Sequence, residues 1–347
     1  MGMEMEDIMN KNILEVKNLR VSFNTYAGEV KAVRGVDFEL KPGETLAFVG
    51  ESGCGKTVTA KAIMRLLKES VAEIKEGSSI LYNDEDVLKM NKKRLHAYRG
   101  NEVSMIFQDP MSSLNPTMSC GKQVMESLMI HRNMNKEEAK KEALKMFEMV
   151  RIPDAQKRLK SYPHQLSGGM RQRVMIAIAL ACNPSILIAD EPTTALDVTI
   201  QAQIMDLLND LKKELNTAII LVTHDLGVVA NFADRIQVMY AGQVIERGTA
   251  KEIFYDSKHP YTWALLSSVP KLAKTNKQEL YALKGTPPDL ILPLNHCPFA
   301  DRCQYCMKIC REQMPKETSL SDKHMVSCWL MHSLAPKVDP LYKRGEF

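Results

Sequence analysis

The pattern of apolar and polar positions predicts strands followed by a helix in the first part of the chain. Apolar and polar residues alternate along Ile13–Phe23 and again along Ala32–Leu40. Because a period of two is typical of half-buried strands, both segments are predicted strands of an antiparallel subdomain. The apolar run Thr45–Val49 predicts a buried strand, and the amphipathic run Lys56–Lys68 predicts a helix. The pattern therefore indicates an α/β protein.

Later segments predict further strands and helices and indicate where the chain divides into domains. Residues 118–150 carry no strand signal and have apolar residues at helical spacing, so they are interpreted as a helical insertion. We predict a first domain over residues 1–255, with a helical subdomain over about residues 118–182, and a loop-rich C-terminal extension over residues 256–347. The later predicted strands are Gly77–Tyr82, Val103–Phe107, Ser185–Asp190, Ala218–Thr223, Arg235–Tyr240 and Gln243–Arg247.

Composition and charge narrow the classes of function. Of 347 residues, 45% are apolar and 25% charged, as in ordinary soluble proteins. No apolar stretch approaches the roughly 18 residues that a membrane span requires. The first ten residues are acidic and lack an apolar signal core, so we expect a cytoplasmic protein. Residues 256–347 carry 13 Lys and Arg against 9 Asp and Glu, which is too small an excess to indicate a nucleic-acid partner.

The segment Gly50–Thr57, GESGCGKT, lies between the predicted strand and helix and has the spacing of a P-loop. Glycines let successive backbone N–H groups point inward at a helix N-terminus, where they form an anion cradle. Lys56 is predicted to reach the β- and γ-phosphates, and the Thr57 hydroxyl to coordinate Mg²⁺. The residues predicted to contact the nucleotide in this loop are Gly50, Ser52, Gly53, Cys54, Gly55, Lys56 and Thr57.

Other candidate nucleotide contacts follow along the chain. Ser167, Gly168 and Gly169 form a small, open helix start able to approach a phosphate. Tyr26, at the tip of the first predicted hairpin, either stacks on a purine ring or packs on its own hairpin.

Acidic and imidazole groups follow two predicted buried strands. Asp190 and Glu191 end one strand, which suits one carboxylate for Mg²⁺ and one to polarise an attacking water. His224 follows the next strand, and the carboxyl ends of strands are where open α/β sheets bind ligands.

At this point the chain resembles the ATP-binding subunit of ATP-binding-cassette (ABC) transporters. The motifs that carry the resemblance are Walker A GESGCGKT, the Q-loop Gln108, the signature LSGGM at Leu166–Met170, Walker B ILIAD followed by Glu191, the D-loop Ala195-Leu196-Asp197 and the switch His224.

The resemblance implies a P-loop NTPase cassette: a mixed sheet core, an antiparallel β-subdomain and a helical signature subdomain. It also implies catalytic roles for Glu191 as general base, His224 as γ-phosphate contact and Gln108 as Mg²⁺ ligand. Asp190 is expected to bind Mg²⁺ through water, and Asp197 is added to the ATP-binding set. Cys54 stands where serine is more usual, and we expect little effect because that position mainly offers its backbone.

Within ABC transporters, the chain is most similar to the oligopeptide and dipeptide permease ATPases, whose relatives also import nickel. The similarity lies in Tyr26–Val30, in MIFQDPMSSLNPTM at Met105–Met118 and in HPYTWALLSSVP at His259–Pro270. It implies a peripheral ATPase on the cytoplasmic face of the membrane, with ATP held between two cassettes.

The implied partners are a second cassette, identical or paralogous, two transmembrane permease subunits and, indirectly, an extracytoplasmic substrate-binding protein. The alternatives are a nickel importer or an ABC ATPase without a transport role.

Five of the eight cysteines crowd near the C-terminus, at positions 297, 303, 306, 310 and 328. In a chain without an export signal, a metal centre is a more natural interpretation than disulfides. Cys297, Cys303, Cys310 and Cys328 suit either a [4Fe–4S] cluster or a Cys₄ zinc site. The family resemblance favours the cluster, because these positions match its ligands in some members, and leaves Cys306 outside the set.

Overall fold

The computed structural model describes residues 11–194, 196–268 and 283–340. The chain forms two compact units. The first contains the described residues up to Ile13, Leu40–Thr45 and those of Asn83–Val222. The second contains Leu14–Glu39, Leu46–Tyr82 and the described residues from Thr223 onward.

Strands are numbered in chain order. They are β1 Leu14–Thr25, β2 Gly28–Leu40, β3 Thr45–Val49, β4 Ala72–Ile74, β5 Ser79–Tyr82, β6 Glu85–Asp86, β7 Val103–Ile106, β8 Ile186–Asp190, β9 Ala218–Thr223, β10 Arg235–Tyr240, β11 Gln243–Thr249, β12 Thr318–Ser319 and β13 Met325–Val326.

Helices are numbered in the same way. They are α1 Lys56–Ile63, α2 Lys92–Ala97, α3 Pro110–Ser113, α4 Cys120–His131, α5 Lys136–Met149, α6 Ala155–Arg158, α7 Gly168–Leu180, α8 Val198–Leu215, α9 Leu226–Val229, α10 Ala250–Asp256 and α11 Pro260–Ser267. Single turns of 3₁₀ helix occur at Val87–Lys89, Pro163–Gln165, Ala300–Arg302, Lys308–Arg311 and Trp329–Met331, and a π turn spans Tyr98–Glu102.

The first unit contains parallel strands and the predicted helical insertion. Strand β8 pairs in parallel with β7 on one side and β9 on the other. Every residue of these three strands is buried, which explains why their sequences are mostly apolar rather than alternating. Helices α4 and α5 occupy the predicted strand-free block, and Asn135 begins α5 with a capping box to Glu138.

The second unit contains the predicted antiparallel subdomain. Strand β1 pairs with β2, β4 and β5, so the strand predictions for this region are confirmed. Strand β3 pairs in parallel with β10, and β10 turns back into β11 through Ala241 and Gly242, which both have positive φ. Two residues of positive φ give the turn twist that suits a tight hairpin.

The C-terminal extension adds two short strands beside β11. Strand β13 pairs antiparallel with β11, placing Val326 opposite Glu246, and β12 pairs with β13. The predicted separate cysteine domain is therefore not confirmed as a fold of its own. The domain boundary at residue 255 stays a prediction.

The first helix is shorter than its periodicity predicts. It ends at Ile63, and Arg65 adopts a left-handed φ of 48°. The N–H of Leu66 donates to the Lys61 carbonyl and the N–H of Arg65 to that of Ala62, which is a Schellman ending formed without glycine.

Within the described ranges, no helix combines the length and apolar character that a membrane crossing needs.

Candidate functional site

The P-loop backbone requires glycine at three of its positions. Gly50, Gly53 and Gly55 have φ of 156°, 80° and 104°. A Cβ on Gly50 would lie 2.2 Å from the Met239 carbonyl oxygen, and one on Gly55 would lie 2.5 Å from the Ala32 carbonyl oxygen. The loop thus packs backbone against backbone, which leaves no room for a side chain at either position.

Lys56 opens α1 and is only 4% exposed. Its Nζ donates to the carbonyl oxygens of Gly50, at 2.7 Å, and Glu51, at 2.9 Å. These contacts hold an ammonium group across the loop, next to the N-terminus of a helix. A held cation and oriented backbone donors together favour binding of a phosphate. The Thr57 side chain follows it on the first turn and is half-buried.

Cys54 is a buried thiol inside the loop. The Lys56 Nζ also donates to its Sγ, at 3.7 Å. Burial raises the pKa of the Cys54 thiol, so the group stays protonated at neutral pH. A neutral Sγ at this position places no negative charge beside a phosphate.

Tyr26 is fully exposed at the turn between β1 and β2. The turn is closed by the Thr25 hydroxyl, which donates to the Gly28 carbonyl oxygen at 2.7 Å. The ring therefore does not pack on its own hairpin, and this alternative is excluded. Its exposure leaves the ring accessible for stacking on a purine.

Glu191 is held by hydrogen bonds of its side chain and its backbone within the first unit. Its Oε2 accepts from Gln108 Nε2 and from Thr194 Oγ1, each at 2.9 Å. Its N–H donates to the Val222 carbonyl oxygen at 2.8 Å, and its own carbonyl accepts from the Thr194 N–H at 3.2 Å. Its φ is 47°, a left-handed value that costs about 1–3 kcal/mol and that clusters at functional sites. Asp190, just before it, is 2% exposed at the end of β8.

The signature residues lie at the start of α7. Ser167 is its N-cap, and the Ser167 Oγ accepts from the Met170 N–H at 3.4 Å. A Cβ on Gly169 would lie 2.9 Å from the Ile200 side chain, so glycine permits α7 and α8 to approach. Asp197 caps α8 by accepting from the Ile200 N–H at 2.9 Å. Ser167 and Asp197 are both exposed.

His224 follows β9 and is exposed. The next residue, Asp225, caps the short helix α9, and its N–H donates to the Thr223 hydroxyl at 3.0 Å. The chain therefore turns sharply at His224, which places an imidazole at the carboxyl end of a buried strand.

Comparison with known proteins matches both parts of the chain. Residues 33–194 match the ABC transporter family, and residues 245–310 match the oligopeptide/dipeptide transporter C-terminal region. The oligopeptide transport ATP-binding protein OppD of Bacillus subtilis (strain 168) is 57% identical, over 94% of this chain and 91% of its own length. The dipeptide transport ATP-binding protein DppD of the same organism is 54% identical, over 94% and 96%.

This chain belongs to the oligopeptide and dipeptide transport ATP-binding proteins of the ABC transporter family. It is therefore an ABC ATPase coupled to transport, which confirms the predicted family and activity. A solved structure described as the dimeric structure of MJ0796, a bacterial ABC transporter cassette, is 30% identical. It covers 68% of this chain and 98% of its own, with a TM-score of 0.61, and confirms the cassette fold.

The cysteines of this ABC ATPase are all free thiols, and no predicted ligand is in a disulfide. Cys297 and Cys310 are buried, and the Cys297 N–H donates to the Cys310 carbonyl oxygen at 3.0 Å. Burial and then the neighbouring thiols raise the pKa of Cys297 to about 11 and that of Cys303 to about 12. The same two causes raise the pKa of Cys328.

Within the described residues, no three or more His, Cys, Asp or Glu side chains converge as a metal site requires. The predicted iron–sulfur cluster and its zinc alternative are therefore not supported by the observed arrangement.

Several contacts of the nucleotide loop and its surroundings carry no sequence signal. Arg302 pairs with Glu51, 251 positions earlier, and Tyr261 accepts from the Glu51 N–H. Thr194 contacts Glu191 from a turn that the sequence marks only as a connection. Only spatial proximity identifies these residues, since none has a diagnostic spacing.

Proposed function

We propose that this ABC ATPase hydrolyses MgATP to power import of short peptides through a membrane permease. The observation that carries the cargo assignment is the match of the C-terminal region, together with 57% and 54% identity to proteins named for oligopeptide and dipeptide transport. The C-terminal match distinguishes this chain from ABC cassettes that lack such a region.

The P-loop residues bind the phosphates in this mechanism. Lys56 neutralises charge on the β- and γ-phosphates, and the P-loop N–H groups hold their oxygens. Gly50 and Gly55 let the loop backbone pack closely on its neighbours, and the loop leads directly into the N-terminus of α1. This arrangement fits binding of the nucleotide phosphates.

Glu191 takes a proton from the attacking water as the water oxygen bonds to the γ-phosphorus. The bond from the γ-phosphorus to the bridging oxygen then breaks, giving ADP and phosphate. His224 contacts the γ-phosphate and orients that water.

The residues assigned to Mg²⁺ are Thr57 and Gln108, with Asp190 acting through water. When bound, the ion offsets negative charge on the phosphates. Gln108 donates its amide nitrogen to Glu191, so its amide oxygen is the atom that suits a cation.

The chain pairs with a second cassette, identical or paralogous, in this proposal. Ser167, Gly168 and Gly169 serve the ATP held by the partner's P-loop, and Asp197 lies beside them at the start of α8. The exposure of Ser167 and Asp197 supports this assignment. The pair docks on two permease subunits at the cytoplasmic face of the membrane, and an extracytoplasmic binding protein delivers the peptide.

Uptake in the native host tests the cargo. We expect deletion of the coding gene to abolish uptake of labelled di- or tetrapeptides, and wild-type protein, but not Lys56→Ala, to restore it. Nickel uptake is measured in parallel. Loss of nickel uptake with intact peptide uptake would make the chain a nickel importer ATPase. Intact uptake of both, with ribosomes or DNA co-purifying instead of permease subunits, would contradict a transport role.

We also propose that Cys297, Cys303, Cys310 and Cys328 ligate a [4Fe–4S] cluster. All four are free thiols, and Cys297 and Cys310 are buried, which supports this proposal. Within the described residues, no three or more His, Cys, Asp or Glu side chains converge on one point. Thiolates are the ligands that such clusters take. A cluster would also stabilise this segment, which consists of short strands and single turns with little core of its own.

Iron analysis and absorption spectra of anaerobically purified protein test this proposal. We expect about four iron atoms per chain, since the cluster holds four, and broad visible absorption that Cys297→Ser removes. Cys182→Ser is the matched control, because Cys182 is also buried and free but lies in the turn after α7, outside the cysteine-rich segment. A colourless, iron-free protein loaded with zinc would replace the cluster by a Cys₄ zinc site.

A further inference from the structure

An arginine in the cysteine-rich segment forms a two-pronged ion pair with the P-loop. Arg302 Nη1 lies 2.5 Å from Glu51 Oε2, and Arg302 Nη2 lies 2.9 Å from Glu51 Oε1. The Arg302 side chain is 5% exposed and that of Glu51 is 31% exposed. Bidentate guanidinium–carboxylate pairs fix geometry as well as charge, and burial protects this one from screening.

Further contacts fix the Arg302 guanidinium in one position. Its Nε donates to the Lys284 carbonyl oxygen at 3.0 Å, and its Nη1 also donates to the Tyr240 hydroxyl at 3.2 Å. A Cβ on Gly285, whose φ is 79°, would lie 3.4 Å from the Arg302 side chain. The Glu51 carboxylate raises the pKa of Arg302. An arginine is charged at every physiological pH in any case, so the pair does not depend on pH in that range. Arg302 is thus a rigid link between the extension and the loop.

Glu51 is also held through its backbone. Its N–H donates to the Tyr261 hydroxyl at 2.8 Å, and its carbonyl oxygen accepts from Lys56 Nζ at 2.9 Å. Tyr261 is fully buried against Tyr240 and Phe299, with ring centroids 4.7 and 5.4 Å away. Side chain, N–H and carbonyl of one P-loop residue therefore connect the extension to the phosphate-binding lysine.

The C-terminal extension also lines a cavity beside the P-loop. A cavity of about 340 Å³ has Glu51–Cys54 on one side and Pro287–Leu290 on another. The Leu290 carbonyl oxygen accepts from the Lys31 N–H at 3.1 Å and from Arg34 Nη2 at 2.7 Å. Arg302 holds the chain a few residues before this wall, at Lys284, so the wall is fixed at both ends.

We propose that Arg302 is a positioning residue for ATP, which sets the place of Glu51 and through it the Lys56 ammonium. The C-terminal extension is then part of the nucleotide-binding site rather than an appendage to it. This inference rests on the ATPase function and adds a residue outside the cassette motifs to that site.

Three variants test the link, and a fourth is the control. Arg302→Met removes the positive charge and both hydrogen bonds to Glu51. Arg302→Lys keeps the charge but cannot form the bidentate pair, and Glu51→Gln removes the negative charge of the partner. Lys308→Met is the matched control, because Lys308 lies in the same segment in an exposed pair with Glu312 and away from the loop. For each variant we measure the Kd for MgATP by a fluorescent analogue, kcat and KM for ATP, and the melting temperature.

We expect Arg302→Met to raise Kd and KM for ATP about tenfold, as for loss of a buried, charge-assisted contact. Arg302→Lys should recover part of that loss, and Lys308→Met should match the wild type. Because both changes break one pair, Arg302→Met combined with Glu51→Gln should weaken binding no more than Arg302→Met alone.

The outcomes separate this inference from the proposed ATPase function. A wild-type protein that fails to bind MgATP would contradict the function itself. Wild-type Kd and KM in folded Arg302→Met would overturn the inference, and so would a lower melting temperature with unchanged Kd and KM, which indicates a structural role alone. If Arg302→Met does not fold, Arg302→Lys and Glu51→Gln with wild-type Kd and KM would overturn it equally.

Discussion

Glu191→Gln should bind MgATP as tightly as the wild type and hydrolyse it at least about a hundredfold more slowly. A glutamine amide has the shape of the carboxylate but cannot accept the proton of the attacking water. The fold around position 191 should persist, because the N–H and carbonyl bonds to Val222 and Thr194 belong to the backbone. Single-turnover hydrolysis and a binding titration on the same sample measure the two effects.

Two comparisons strengthen this test. Glu137→Gln makes the same chemical change on the exposed first turn of α5 and should leave hydrolysis unchanged. Thr194→Val removes the hydroxyl that donates to Glu191 Oε2 and should slow hydrolysis less than Glu191→Gln, because the base remains. Hydrolysis by Glu191→Gln at the wild-type rate would remove Glu191 from the role of general base.

The pattern of apolar and polar residues predicted the strands well where a strand is buried on one face or on both. The apolar runs that became β8 and β9 are buried at every position, and their short length and β-branched residues favour strands over buried helices. The alternation that became β1 reflects its burial on one face. The helix after the P-loop was predicted too long, since its left-handed ending at Arg65 uses a residue that carries no turn signal.

Long-range contacts could not be predicted in this way. Strands β12 and β13 are two residues each, and their place beside β11 depends on contacts some 80 positions apart, such as Glu246 with Val326. The buried Glu246 carboxylate also accepts from His324 Nε2, at 2.9 Å, and from the N–H groups of Lys258 and His259. A lone Glu and a lone His have no diagnostic spacing, so only the folded chain reveals that they join the extension to the sheet.

The motifs of the site were predictable because phosphate chemistry restricts residue type at fixed spacing. Lys56 and the three loop glycines have backbone and side-chain positions that suit that chemistry. The geometry around Glu191 adds what spacing omits: a left-handed backbone and a second donor, Thr194. A strained backbone of this kind is visible only in the folded structure.

Gly55→Ala should abolish MgATP binding at nucleotide concentrations that saturate the wild type. Alanine disfavours a φ of 104° by about 1–2 kcal/mol, and its Cβ would also lie 2.5 Å from the Ala32 carbonyl oxygen. Because the backbone carbonyl cannot move aside as a side chain can, the loop must shift. Lys56, the next residue, must shift with it. Equilibrium binding of a fluorescent ATP analogue measures the loss.

Two other glycines separate the clash from the backbone conformation and so decide the cause. Gly53→Ala has a similar requirement, with φ of 80°, but its Cβ meets no atom within 4 Å, so it should weaken binding far less than Gly55→Ala. Gly77→Ala, with φ of 83° and only an ordinary contact at 3.6 Å, lies outside the loop and should leave binding unchanged. Equal losses in Gly53→Ala and Gly55→Ala would show that conformation alone limits the loop, whereas wild-type binding by Gly55→Ala would contradict the backbone packing on which the phosphate cradle depends.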